Sequence, residues 1–127
     1  MSRVLLVEDH HFNRRLIRDV LGFRGHEVVE AHDVEQARER LREGRPDVVL
    51  LDIQIPGGGG EAVLRTIRET PELTRLPVVA VTALAMSGDR ARILALGFDG
   101  YISKPIDTKT FASEVEAFIE ERGADGG

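Results

Sequence analysis

The feature that most constrains this chain is an alternation. Four short apolar runs rich in β-branched residues, Val4–Val7, Val28–Ala31, Val48–Leu51 and Val78–Val81, are separated by stretches whose apolar residues recur with helical spacing. A weaker fifth run, Tyr101–Ser103, takes its place from the same rhythm. Phe12, Leu16, Ile17, Val20 and Leu21 make a helical stripe that should stop near Gly22 and Gly25. Asp33 and Gln36 have capping-box spacing, and Val34, Ala37 and Leu41 follow as one face up to Gly44 and Pro46. Val63, Leu64 and Ile67 repeat the pattern before Thr70-Pro71, and Ile93, Leu94 and Leu96 repeat it before Gly97. Behind Asp107, a helix opener, Phe111, Val115, Phe118 and Ile119 form a last buried face. Five β-α units result. Successive parallel strands need crossover connections, nearly always right-handed, so the pattern predicts an α/β fold with a five-stranded parallel sheet and helices on both faces. Val48–Leu51, apolar throughout, reads as a central strand.

A length of 127 residues predicts one domain, and 42% hydrophobic residues supply a core without staples. Residues 1–122 are expected to form it, with Gly123–Gly127 as a flexible C-terminal tail. Seventeen basic against twenty-two acidic residues leave a net charge of −5, the wrong sign for binding nucleic acid or anionic lipid. The absence of cysteine excludes disulfides, thiolate zinc sites and a cysteine nucleophile. Leu76–Met86, the longest uncharged apolar stretch, is too short to span a bilayer, which takes about 20 residues. The start of the chain lacks the three-part pattern of a secretory signal, so a cytoplasmic location is expected.

In an open parallel sheet, ligands bind beyond the carboxyl ends of the strands. Here those ends carry Glu8-Asp9, Asp52, Thr82 and Lys104-Pro105. Three carboxylates gathered there would repel one another unless a cation sat among them, and oxygen donors select a hard one: magnesium first, manganese second. An aspartate can also attack phosphorus and form an acyl phosphate. Lys104 would offer a point charge to a phosphoryl group and Thr82 a hydroxyl donor. Pro105 favours an extended Lys104. Each part has a plainer explanation alone: an N-cap for Glu8-Asp9, a β-branched strand residue for Thr82. Together they read as a site. His10 and His11 do not read as metal ligands, because neighbours point apart and no third ligand lies at suitable spacing. The Gly57–Gly60 run lacks the Lys-Ser/Thr of a phosphate loop and reads as a flexible connection.

The segments VLLVED (4–9), VVLLDIQIP (48–56), VVAVTA (78–83) and YISKPI (101–106), in this order and spacing, resemble the receiver domain of two-component response regulators. The likeness covers essentially the whole chain. EDHHFNRRLI and TALAMSGDRARILALGFDGYISKPI are most similar to single-domain receivers of the cell-division and hybrid-kinase type. The resemblance implies a doubly wound, flavodoxin-like (βα)5 fold with strand order 2-1-3-4-5. It also implies that Glu8, Asp9, Asp52 and the backbone carbonyl of Gln54 hold Mg2+ (Mn2+ possible in its place), and that Asp52 is the phosphoacceptor. Thr82, the backbone of Ala83, and Lys104 would then bind phosphate, with Tyr101 as a switch aromatic and a cis bond between Lys104 and Pro105. Phe12, Asn13, Leu16 and Ile106 would face the phosphodonor, with Phe12 the sharpest candidate and a core position its alternative. Ile55, Gly58 and Gly59 depart from the family pattern, while Gly60 matches it.

The function expected is a phosphorelay switch that takes a phosphoryl group from a histidine kinase or histidine phosphotransferase and signals by contact with a downstream protein, as a monomer or a phosphorylation-dependent dimer. A magnesium-dependent phosphohydrolase is the alternative. Such enzymes carry a second aspartate two residues after the nucleophile; Gln54 stands there and cannot transfer protons, so no turnover enzyme is expected. A flavin or nucleotide carrier would need a hydroxyl- or glycine-rich first loop, where this chain has His10-His11-Phe12. Gln54 and Leu84, two residues beyond Asp52 and Thr82, are expected to set a phosphoryl lifetime of minutes or longer.

Overall fold

The structure, a computed structural model, describes the backbone of residues 2–55, 57, 59–83 and 88–126, and side chains among these as far as Glu120. Gly58 and Leu84 lie outside the described residues. The elements run β1 (Arg3–Val7), α1 (His11–Phe23), β2 (Glu27–Ala31), α2 (Val34–Glu43), β3 (Val48–Leu51), α3 (Gly59–Glu69), a 3-10 turn (Pro71–Leu73), β4 (Val78–Thr82), α4 (Asp89–Ala95), β5 (Gly100–Ser103) and α5 (Phe111–Gly126). All strand pairs are parallel, and the order is β2-β1-β3-β4-β5. Each apolar run of the sequence is a strand.

Because successive side chains of a strand point to opposite faces, each apolar run feeds two cores at once. Leu5, Val7, Val49, Leu51, Val78 and Ala80 pack against Val34, Ala37 and Leu41 of α2, Val63, Leu64 and Ile67 of α3, and Ile93 of α4. Val4, Leu6, Val48, Leu50, Val79 and Val81 pack against Ile17 and Leu21 of α1 and Phe111, Ala112 and Val115 of α5. The sheet is therefore covered on both sides. At α2 the cap forms as the spacing implies: Asp33 Oδ1 accepts from the Gln36 N–H at 2.8 Å. The return bond differs, since Gln36 Oε1 accepts from the His32 N–H, one residue earlier than in a standard capping box.

Three expectations are corrected. Leu94 and Leu96 are 39% and 44% exposed, because α4 is only seven residues long and meets the core through Ile93. Phe12 is 67% exposed, so it belongs to the surface of α1 and not to the core. The backbone of α5 is helical as far as Gly126. The glycine run is more than a flexible connection. Gly57 and Gly59 have φ of +92° and +77°, and Gly59 and Gly60 form the first turn of α3. The Gly60 N–H donates to the Ile53 carbonyl at 2.7 Å, and a Cβ there would lie 2.8 Å from both the Asp52 carbonyl oxygen and the Ile53 Cα.

At the opposite end of the sheet, α5 is tied to the α1–β2 turn. Arg24 Nη2 donates to Glu116 Oε1 at 2.6 Å, and His26 Nε2 lies 2.7 Å from Glu116 Oε2. The hydrogen bond from His26 and the Arg24 charge hold the Glu116 carboxyl below the usual glutamate range.

Two measurements check these assignments. Gly60→Ala should lose about 1–3 kcal/mol of unfolding free energy through backbone overlap, whereas Gly22→Ala, with open space around its Cβ, should gain up to about 1 kcal/mol; denaturant unfolding of both variants reads the contrast. A carboxyl with a lowered folded pKa contributes stability above its unfolded pKa that is lost as pH falls through the folded one. Glu116→Gln should therefore narrow its stability deficit against the unmodified chain as acid titrates Glu116, in melts recorded between about pH 7 and pH 3.

Candidate functional site

Backbone ladders set the site. The Glu8 N–H donates to the Ala31 carbonyl and the Asp52 N–H to the Val7 carbonyl, both at 2.9 Å, while the Lys104 N–H donates to the Thr82 carbonyl at 3.0 Å. Each of the three residues is thus held one step past a strand end, registered against its neighbour. Glu8 and Asp52 are 2% and 6% exposed, and Asp9 is exposed. One carboxylate oxygen from each of Glu8, Asp9 and Asp52 lies within 4.8 Å of the others.

The Lys104 ammonium joins two of these groups. Its Nζ donates to Asp52 Oδ2 at 3.0 Å and to Glu8 Oε1. The remaining oxygens are also engaged: Asp52 Oδ1 accepts from the Gln54 N–H at 2.9 Å and Glu8 Oε2 from the His10 N–H at 3.1 Å. Burial is the largest influence on Glu8 and raises its pKa, with the Asp52 charge adding to it; Lys104 and the His10 N–H only partly offset the rise. For Lys104, burial works against the charged form, yet the hydrogen bonds and charges of Glu8 and Asp52 outweigh it, and its pKa is raised. The ammonium is therefore firmly charged.

Arg14 was not legible as part of this arrangement. Its Nη1 donates to the carbonyls of Glu8 (2.9 Å) and Asp9 (3.0 Å), and its Nε stands 3.6 Å from Glu30 on β2. An arginine one turn into the helix after an acidic pair is the available signal, and only the fold shows which way it turns. Thr82 is fully buried and pairs with Ser103 across β4–β5, and Ala83 follows it, exposed. Tyr101 is half-buried against the core under α2–α4. The Lys104–Pro105 bond is cis. Asn13, Leu16 and Ile106 are half-buried and Phe12 is exposed, while Gln54 presents an exposed side chain. The donor set is oxygen throughout, with three carboxylates in reach of one another, which suits a hard divalent cation such as magnesium.

Residues 4–116 match the family model described as the response regulator receiver domain. This chain belongs to that family. As a receiver domain it is a module of two-component signalling, and neither its family nor its relatives lend support to a phosphohydrolase. It is 39% identical over 116 residues to the polar-differentiation response regulator DivK of Brucella anthropi, covering 91% of this chain and 94% of that protein. It also resembles the receiver domain of a Pseudomonas aeruginosa sensor histidine kinase, a structure with a magnesium ion coordinated in the active-site cleft, at TM-score 0.85 and 31% identity over 94% of this chain and 98% of that one. A receiver domain of a histidine kinase from Syntrophus aciditrophicus superposes with TM-score 0.85 and 27% identity, covering 95% of this chain and 92% of that one. No helix among the described residues of this receiver is long and apolar enough to cross a membrane.

Removing the shared ammonium should expose what it balances. In Lys104→Met, two buried carboxylates face each other unpaired, a change worth on the order of 3 kcal/mol. Glu8 already has a raised pKa, and a carboxyl raised in the folded state loses stability as pH rises through that value. The deficit should accordingly be larger at about pH 8 than at about pH 5 in metal-free denaturant melts. A deficit independent of pH would show that Glu8 does not carry the strain.

Proposed function

We propose that Asp52 accepts a phosphoryl group from a phosphohistidine on a sensor histidine kinase or a histidine phosphotransferase. The observation that carries this reading is the Asp52 carboxylate itself, held at a strand end with Oδ2 on the Lys104 ammonium and within 4.8 Å of Glu8 and Asp9 oxygens. A carboxylate oxygen attacks phosphorus, an O–P bond forms, the N–P bond to the imidazole breaks, and its electron pair leaves with the ring. Lys104 pairs with the phosphoryl oxygens, and the Thr82 hydroxyl and Ala83 backbone N–H donate to them. Glu8, Asp9, Asp52 and the Gln54 carbonyl would hold Mg2+, or Mn2+ in its place. When bound, that ion neutralises charge shared by carboxylates and phosphoryl group. Thr82 and Tyr101 respond together to the new charge and bias a two-state surface made by α4, β5 and α5.

Gln54 can position water but not transfer its protons, so the acyl phosphate persists as a signal and the receiver is not a turnover enzyme. Gln54 and Leu84 set its lifetime. Donor docking uses Phe12, with Asn13, Leu16 and Ile106 beside it; an aromatic 67% exposed next to the site supports this, since buried aromatics anchor interfaces. The functional unit is residues 1–122, with 123–127 as an appendage. Output passes by contact with a downstream protein, by a monomer or by a dimer formed on phosphorylation. Its setting is the cytoplasm, away from membranes, and the net charge of −5 supports a role without nucleic acid. Likeness to DivK supports a place in polar differentiation.

Incubation with excess small acyl-phosphate donor and magnesium should add one phosphoryl group to the intact mass. Asp52→Asn, or chelation of the metal, should abolish that gain. Continuous phosphate release without a stable adduct would favour a hydrolase, and an adduct on Asp52→Asn would move the acceptor elsewhere.

A further inference from the structure

Arg3, Arg14, Arg18, Arg24, Arg40, Arg68 and Arg92 each pair with a carboxylate. Arg15, Arg38, Arg42, Arg45, Arg65, Arg75 and Arg90 have no such ion pair among the described residues, and for Arg38 and Arg42 this holds although α2 alternates acidic and basic residues and puts Glu35 and Glu39 one turn away. What sets Arg38, Arg42 and Arg45 apart is that all three line one cavity. It has a volume of about 510 Å3 and lies between α2 and the end of α3, with Leu41 and Leu73 in its wall. Arg38 Nε donates to Thr66 Oγ1 at 3.1 Å, which fixes the guanidinium and leaves its two terminal amino groups without a partner among the described residues. Arg45 donates to a single carbonyl, that of Pro46, at 3.3 Å. One carboxylate, Glu72, also lines the cavity.

Three guanidiniums without an ion pair thus converge on one concavity, a lining that suits an anion. The volume falls within the range of about 300–1,000 Å3 typical of small-molecule sites, and such sites combine apolar walls with a few convergent polar groups. Planar guanidinium forks match phosphate oxygens two at a time. We propose that the α2–α3 cavity binds a phosphate-bearing small molecule of nucleotide size, its phosphate on Arg38, Arg42 and Arg45 and its apolar body against Leu41 and Leu73. The cavity adjoins the Gly44–Pro46 turn that enters β3, at the end of the sheet opposite Asp52. It is thus separate from the acceptor site, and the proposal stands whether or not Asp52 is phosphorylated.

The test titrates the full chain, in chelating buffer without magnesium, with AMP carrying a fluorescent N-methylanthraniloyl group. Saturable binding is expected, with amide NMR shifts in residues 38–45 and 66–73 and none at Glu8, Asp9 or Asp52. Arg38→Gln with Arg42→Gln should weaken it about tenfold or more, the loss expected for a charge-assisted hydrogen bond, and Arg90→Gln, an exposed arginine on α4, should leave it unchanged. Matching unfolding curves for the variants would show that the loss is local. Absence of saturable binding, equal loss with Arg90→Gln, or shifts centred on Asp52 would overturn the proposal. So would inorganic phosphate binding as tightly as the nucleotide, or binding of an acidic peptide in place of both.

Discussion

Two buried carboxylates share one ammonium, and the local structure at the head of the sheet is arranged around that imbalance. Lys104 bonds to Glu8 and Asp52 at once, so neither carboxylate has a cation to itself. Burial disfavours the charge on Glu8 and on Lys104 alike, yet only Lys104 gains enough from its partners to become more firmly charged. The cluster therefore keeps an excess of negative charge in a poorly solvated place. Oxygen donors crowded in this way suit a further hard cation.

Holding such groups together takes backbone more than side chains. Side-chain geometry alone would let like charges swing apart. Ladder bonds from Glu8 to β2, from Asp52 to β1 and from Lys104 to β4 leave the three Cα positions no such freedom. Arg14 closes the remaining gap by gripping the carbonyls of Glu8 and Asp9, the stretch where the chain leaves the sheet for α1. A cation thus serves the acidic loop through its backbone while leaving the Asp9 carboxylate exposed.

The fold was legible because a parallel sheet buried on both faces writes itself as uninterrupted apolar runs, and Val4–Val7, Val48–Leu51 and Val78–Val81 are such runs. The polar residues at strand ends were legible for the same reason: charge beginning where burial ends. Contacts decided by direction were not. Periodicity places Leu94 and Leu96 beside Ile93, but cannot say that a seven-residue helix buries one apolar residue, Ile93. Nor can it say that Arg14 turns back toward the loop, or that His26, far from the acidic site, meets Glu116 on the last helix. Four glycines in a row look like slack, and only the backbone shows that a side chain at Gly60 would overlap Asp52 and Ile53.

That last contact has a mechanical side. Elsewhere a helix rests on the sheet through interdigitated side chains, a layer that can yield by changing rotamers. Between the start of α3 and the residue after Asp52 there is no such layer, only main chain on main chain, closed by the 2.7 Å bond from the Gly60 N–H to Ile53. Gly57 meets α2 almost as directly, with its missing Cβ position 3.2 Å from the Val34 Cβ. The peptide that carries Asp52 is in effect a bearing for the start of α3. A shift of a few tenths of an ångström there meets main chain directly, with no side-chain layer between to absorb it.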